Sequence, residues 1–513
     1  MCGITPARPN HGIDWVCGNY RYETERQGID SFPNTGRIYR LRGIQVVRRK
    51  VLLVELNEVT WNLVDPLIEQ GKLPTFARLK REGAWAAPVS VDLPPQLEPW
   101  ITWTTLYTGR PQSDHNVFFL QQPPETIRAK RIWEICDQAG LSVGVYGSLC
   151  SWPPQQVKGF YVPDTFAPDT TTYPESLQPI QKLNLTYTRS IRLPSDEDGL
   201  LFKAKLGAQL LGLGLSASTI TRITHQLALE RHSPQRRWQR VALQPFTNFD
   251  FFSRLYRRHR PEFASFHTNH VAHYMHTYWK AMQPEVFPQE TSEAERQTYG
   301  GAIEHGYRSA DELLKRMLDL LDDQTVMVVA SSMGQKPFIT PLKKGKRIGQ
   351  LRSLDRLIDI LGAQGRVRSL TTMSDQFNLY PDTPGTSELL CNRLEAAYID
   401  SPDRPMFYVT AVADSITVTL RHYDETSADS VCVFPHRETD ESYRFEDLVY
   451  ATGMVKSGCH DPVGTLMFYG PGISRGLHVS ESTNLNIAPT LLTLLGLPVP
   501  EEMKGRVLSE VLD

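Results

Sequence analysis

From residue 50 onwards the hydrophobic positions of this chain fall into a repeating order of strand and helix. VLLVEL (51–56) is apolar at every position but one, the mark of a strand buried on both faces. TWNLVDPLIEQG and LPTFARLKREGA follow with apolar residues at helical spacing, and they stop at Gly71 and Gly83. ITWTTLYTG reads as a further helical segment. RIWEICDQAG before LSVGVYG, and DELLKRMLDLLDD before TVMVVAS, repeat the unit, and TLMFYG with NIAPTLLTLLG closes the series. Strands alternating with helices of about 10–15 residues predict an α/β fold: three layers, α/β/α, around a mainly parallel central sheet.

Two stretches interrupt this order. Residues 180–262 carry helical text, LFKAKLGAQLLGLGL and TITRITHQLALERH, then a basic aromatic run from RRWQR to RLYRRHR. That run reads as a solvated helix face, or as a pull on an anionic substrate if it faces the site. Residues 337–455 combine QFNLYP, the helix SELLCNRLEAAYI and the strands MFYVTAV, SITVTLRHY and DSVCVFP, the text of a small α+β insert. Sheet-forming segments lie on both sides of each stretch, which predicts one domain over 46–513 with two inserts. Residues 1–45 are polar, rich in Gly and Arg and aperiodic. They read as an N-terminal extension, either a disordered arm or the product of an early start site.

Composition narrows the class little. Of 513 residues, 40% are hydrophobic and 22% charged, and the net charge is −2, which exerts no overall attraction on nucleic acid or anionic membranes. No apolar run approaches the roughly 18 residues of a membrane span, and the N-terminus lacks the apolar core of a signal peptide. The expected location is therefore the cytoplasm. The seven cysteines are scattered without a CxxC, so neither a disulfide framework nor a zinc knuckle is expected. Cys459, beside His460, reads as a small residue in a Gly-rich turn.

Candidate chemistry collects at strand ends, because the carboxyl ends of parallel strands form one rim where ligands bind. Glu55, Asn57 and Glu58 close the first strand. Asn269 and His273 follow FASFHT, Ser331 and Ser332 follow VMVVA, and His460 precedes VGTLMFYG. Asn269, His273 and His276 fall at i, i+4 and i+7, one face of a helix starting at the strand end. Strand alternation lets only one of Glu55 and Glu58 point inward.

Four blocks, VLLVELNEVTWNLVDPLIEQGKLPTFARLKREGA, WTTLYTGRPQSDHNVF, SGCHDPVGTLMFYGPGI and NIAPTLLTLLGLPVPEEMKGRVL, occur in an order that resembles the alkaline phosphatase superfamily, in its type I phosphodiesterase/nucleotide pyrophosphatase branch. The resemblance runs from about 50 to 513. It implies a hydrolase or transferase acting on a small-molecule phosphate or sulfate ester, a nucleotide or glycan derivative among them, and no nucleic acid. The family's leading Asp aligns with Asn57, its Asp-x-x-x-His pair with Asn269 and His273, its later Asp-His pair with Ser331 and Ser332, and its final His with His460. The nucleophile position, ten residues before Gly109, is Pro99, and Thr102 is the nearest hydroxyl.

What the resemblance implies for the site is therefore an altered binuclear centre. Asn57, Asn269, His273 and His460 are the candidate metal ligands, with one divalent ion, zinc first, completed by Glu55, Glu58 or His270. A second metal is not expected, since Asn57, Ser331 and Ser332 are neutral oxygen donors. Glu58, Thr102 and His270 are the candidate catalytic groups, with His276 a further general base, and His115 in the TGRPQSDH loop is architectural. Two other readings stay open: a non-catalytic binding or scaffold protein that keeps the pocket, and a metal-free acid/base enzyme using the Glu and His rim. Substrate identity and oligomeric state are not set by the sequence.

Overall fold

Alternate residues of the first strand feed two different cores, which is why the run is apolar throughout. In the computed structural model, Leu52, Val54 and Leu56 of Lys50–Leu56 (β1) enter one hydrophobic layer, and Val51 and Leu53 enter the other. The structure describes residues 38–513 apart from 42–43, 95, 120–121, 123, 191–199, 341–345, 372–374, 413–414, 423–425 and 437–441. Those described from Ile38 to Asp513 form one compact unit. The expectation for residues 1–45 lies mostly outside them; Ile38–Leu41 and Ile44–Val47 pair as an antiparallel hairpin.

The central sheet has eight strands: β1, Ala84–Ala86 (β2), Val143–Tyr146 (β3), Gly159–Val162 (β4), Phe263–Thr268 (β5), Thr325–Ala330 (β6), Leu466–Tyr469 (β7) and Leu477–Val479 (β8). Their order is β8-β2-β7-β6-β1-β5-β3-β4. All neighbours pair in parallel except β7, which runs antiparallel to β2 and β6. The predicted α/β class with a mainly parallel sheet is therefore what forms.

Helices cover both faces. Trp61–Glu69 (α1) and Pro74–Glu82 (α2) follow β1, as their spacing predicts. Pro99–Thr108 (α3) begins with Pro at its first position and ends at Gly109 with φ 61°, the usual placing of the two helix punctuators. Every residue of α3 from Trp100 to Thr108 is buried, so it shows no polar stripe by which sequence reading could orient it. The first insert is helical, with Leu200–Leu213 (α4), Ala217–His232 (α5) and Leu243–His259 (α6). His270–Met282 (α7) and Ala302–Leu318 (α8) connect β5 to β6, and Ile487–Leu494 (α9) lies near the C-terminus. The second insert carries two four-stranded antiparallel sheets and a core of its own, including Leu357, Phe377, Leu390 and Ile416.

Candidate active site

The rim of β1 and β5 is built in two polar tiers, set by the period of the strand. Glu55 and Asn57 lie on the same face of β1, the face on which α3 packs. Trp103 and Tyr107, one turn apart on α3, reach down to them: Trp103 Nε1 donates to Asn57 Oδ1 at 2.7 Å, and Tyr107 Oη donates to Glu55 Oε2 at 2.7 Å. In the lower tier the Glu55 carboxylate also accepts from Ser148 Oγ at 2.9 Å and from His267 Nδ1 at 3.1 Å. Glu55 is wholly buried and supports the rim from below.

In the upper tier the orientation of Asn57 follows from its partner. Indole N–H can only donate, so the atom facing Trp103 must be Oδ1. The Asn57 Nδ2 group then faces the site and donates to Asn269 Oδ1 at 2.7 Å and to Glu58 Oε1 at 2.9 Å. Asn57 and Asn269 come together, but Asn57 presents N–H groups where a cation would need oxygen. That departs from the part of metal ligand given to Asn57 by alignment.

Glu58 is the centre of the arrangement. Its backbone takes φ 61°, a left-handed conformation that costs a non-glycine residue about 1–3 kcal/mol and is kept only where surroundings enforce it. The side chain is buried, and Oε2 accepts from Gln335 Nε2 and lies 3.0 Å from His276 Nε2 and 3.7 Å from His460 Nε2. Burial works to raise the pKa of this carboxyl, but the two imidazoles and the hydrogen bonds from His276 and Gln335 outweigh it and hold the pKa at about 2. Glu58 is thus a carboxylate at any ordinary pH.

Both imidazoles are held by their other nitrogen. His276 Nδ1 donates to the Gly458 carbonyl at 3.1 Å, and His460 Nδ1 donates to the Leu97 carbonyl at 2.8 Å. A carbonyl oxygen only accepts, so each Nδ1 carries the proton and each Nε2 turns towards Glu58. Among the described residues, Glu58, His276 and His460 are a group whose donor atoms lie within 4.8 Å of one another. One carboxylate and two imidazoles with Nδ1–H tied to backbone carbonyls is a donor set that suits a divalent ion such as zinc. Without an ion, the 3.0 Å approach of His276 Nε2 to the carboxylate requires a proton on that nitrogen.

The other candidates sit elsewhere. His273, one turn before His276, is not in this group; it is half-buried, and burial, followed by the charge of His276, lowers its pKa to about 4. His270 turns to the interior, where Thr268 Oγ1 meets its Nδ1 at 2.8 Å, and burial drives its pKa down to about 3, leaving it neutral. Helical rotation explains the split, because six residues separate His270 from His276 and place them on different faces. Thr102 is fully buried with Oγ1 2.8 Å from Ser332 Oγ, so it is not open to a substrate. Ser331 Oγ donates to the Met333 carbonyl and is likewise engaged. His115 is architectural as read: it accepts from the Val117 N–H at 3.1 Å and donates to Thr105 Oγ1 at 2.9 Å, which in turn donates to Asp92 at 2.6 Å.

Sequence reading missed Gln335, Trp103 and Tyr107. Gln335 lies opposite His460 in the ribbon formed by Gly334–Pro337 and Gly458–Asp461, a pairing across more than a hundred residues that leaves no local signal. Trp103 and Tyr107 do carry one, their i, i+4 spacing on a helix next to the rim. Glu98, the N-cap of α3, is half-exposed at the mouth, with Oε1 3.9 Å from His460 Nδ1.

A family model described as type I phosphodiesterase/nucleotide pyrophosphatase matches residues 51–378. No curated protein matches the chain. Among solved structures, murine ectonucleotide pyrophosphatase/phosphodiesterase 5, in an inactive form in complex with AMP, is 14% identical with a TM-score of 0.40, covering 91% of this chain and 100% of that one. Phosphonoacetate hydrolase from Sinorhizobium meliloti, in complex with phosphonoacetate, is 15% identical with a TM-score of 0.38, covering 89% and 99%. Human ectonucleotide pyrophosphatase/phosphodiesterase 5 is 12% identical with a TM-score of 0.40, covering 91% and 100%.

Proposed function

The chain belongs to the type I phosphodiesterase/nucleotide pyrophosphatase family of hydrolases, in the alkaline phosphatase superfamily, and from that membership we propose that it hydrolyses a small phosphate ester or anhydride at a single-metal centre. The observation that carries the reading is the trio Glu58, His276 and His460, both imidazoles pinned by Nδ1 so that Nε2 faces the carboxylate. These three residues would hold the ion, which when bound supplies Lewis acidity and charge neutralisation towards a phosphoryl oxygen.

The remaining work falls to the chain itself. Gln335 and Asn57 hold the two oxygens of Glu58 in place by hydrogen bonds. Asn57 and Asn269 occupy the adjoining part of the rim with a neutral amide pair, which offers no charge to a second cation. Pro99 stands where the family carries its hydroxyl nucleophile, and Thr102 is closed off against Ser332. The attacking group is accordingly water or the hydroxyl of an acceptor, not a side chain.

A second reading rests on the 3.0 Å separation of His276 Nε2 and Glu58 Oε2, the length of a charge-assisted hydrogen bond. Here the pair works without metal, His276 acting as a general acid towards the leaving oxygen. Metal analysis of the purified protein, with turnover of bis(p-nitrophenyl) phosphate before and after chelation, separates the two. About one ion per chain, lost together with turnover in a chelator and in His460→Ala, is expected. Turnover that survives chelation supports the metal-free pair, and neither metal nor turnover overturns both.

A further inference from the structure

The net charge of −2 conceals a strong local excess. Between residues 200 and 260 the chain has eleven Lys and Arg against two acids, Glu230 and Asp250. Both acids are engaged inside the insert: Glu230 accepts from Arg240 and Gln226, and Asp250 accepts from the Ser216 N–H at 2.8 Å. Arg254, Arg257 and Arg258 at the end of α6, and Arg260 just beyond it, are all exposed and make no ion pair among the described residues. At the same edge, Glu262 is matched by Arg48 and Asp322 by Lys50.

An exposed apolar residue adjoins this cluster. α4 reads LLFKAKLGAQLLGL and carries no acidic residue. Leu210 is buried and Leu206 and Leu213 pack on the core, but Leu211 is 53% exposed. At Gly214, whose N–H bonds the Leu211 carbonyl at 3.1 Å, the Arg254 side chain of α6 packs on the backbone: its Cδ is 2.7 Å from the place a Cβ would occupy there. Arg254, one turn before Arg257 and Arg258 on α6, thus ties the arginine cluster to the end of α4 that carries Leu211.

We propose that this patch docks the protein on an anionic lipid surface. Arginines beside an exposed leucine match the phosphate and carboxylate headgroups and the acyl boundary beneath them. A nucleic acid would use the cations but gains nothing from Leu211. No helix among the described residues is long and apolar enough to cross a membrane, so the contact is peripheral. The patch precedes β5, whereas Asn269 follows it, so the six residues of that strand put the docking edge about 20 Å from the rim and leave the site clear of the lipid. The inference is independent of the reaction proposed above.

Flotation of the full chain with phosphatidylcholine vesicles, with and without phosphatidylserine, tests it. Binding only to the phosphatidylserine vesicles is expected, with release at high salt. Reversing Arg254, Arg257 and Arg258 together to Glu is expected to lower partitioning roughly a hundredfold, and Leu211→Asp several-fold, with thermal melting unchanged in both. Should the triple variant fail to fold, Leu211→Asp and the salt dependence decide. Equal binding to both vesicles, binding to neither, or retention on heparin without vesicle binding would overturn the proposal, the last in favour of a polyanion surface.

Discussion

Trp103 and Asn57 are joined by a 2.7 Å hydrogen bond that decides which end of a carboxamide faces the candidate site. The indole donor takes the amide oxygen, and the amide nitrogen is turned on Asn269 and Glu58. Replacing Trp103 by Phe should leave Asn57 Oδ1 buried without its donor and cost about 1–3 kcal/mol in urea unfolding. Asn57→Asp keeps an acceptor for Trp103 but sets a second oxygen against Glu58 and Asn269. That variant should melt lower without metal and recover most of the loss when zinc is added; no recovery would show that the amide pair does not stand in a cation's place.

Metal affinity should distinguish the two neighbouring histidines of α7. His276→Ala removes a member of the trio and should weaken zinc binding at least about a hundredfold, more than the loss of an outer partner. His273→Ala should change it by less than about threefold. Isothermal titration gives both numbers, and the reverse ranking would return His273 to the role the alignment assigns it.

Tyr107→Phe tests the lower tier. The lost hydroxyl is one of three donors to the wholly buried Glu55, and hydrogen bonds to a charged group contribute about 1.5–3 kcal/mol. Stability should fall by that amount, and zinc affinity should fall with it only if the tier holds the rim in place. Unchanged stability would mean that Ser148 and His267 alone satisfy the carboxylate.

His115 makes stability depend on pH in a defined window. Burial, followed by the positive charge of Arg110, lowers its pKa from 6.5 to about 3. The unfolded chain therefore binds a proton more readily, so stability is full above about 6.5 and is lost as pH falls towards 3, by roughly 5 kcal/mol at most. His115→Gln should be less stable at neutral pH and flatter through that window. A parallel pH profile in the variant would place the acid sensitivity elsewhere.

Much of this was legible in the order of residues, and the misses have physical reasons. The strand and helix series follows from periodicity and turn residues, which are local, and the architectural reading of His115 came from the family resemblance. Asn57 and Asn269 aligned with a family site and do meet. His276 and His273 could not be ranked, because helical spacing sets them one turn apart and their difference is set by the Gly458 carbonyl, which arrives from a distant part of the chain.

By itself the sequence determined that a mainly parallel sheet forms and that polar groups gather at its carboxyl edge. Those properties depend on residue type and period alone. Only the tertiary structure decided that Glu58 is the centre, that Gln335 and two backbone carbonyls aim its partners, and that Asn57 presents nitrogen. Hydrogen-bond direction is a property of pairs, and each of these pairs joins segments from 46 to 363 residues apart, brought together by the sheet, α3 and the Gly334–Pro337 ribbon.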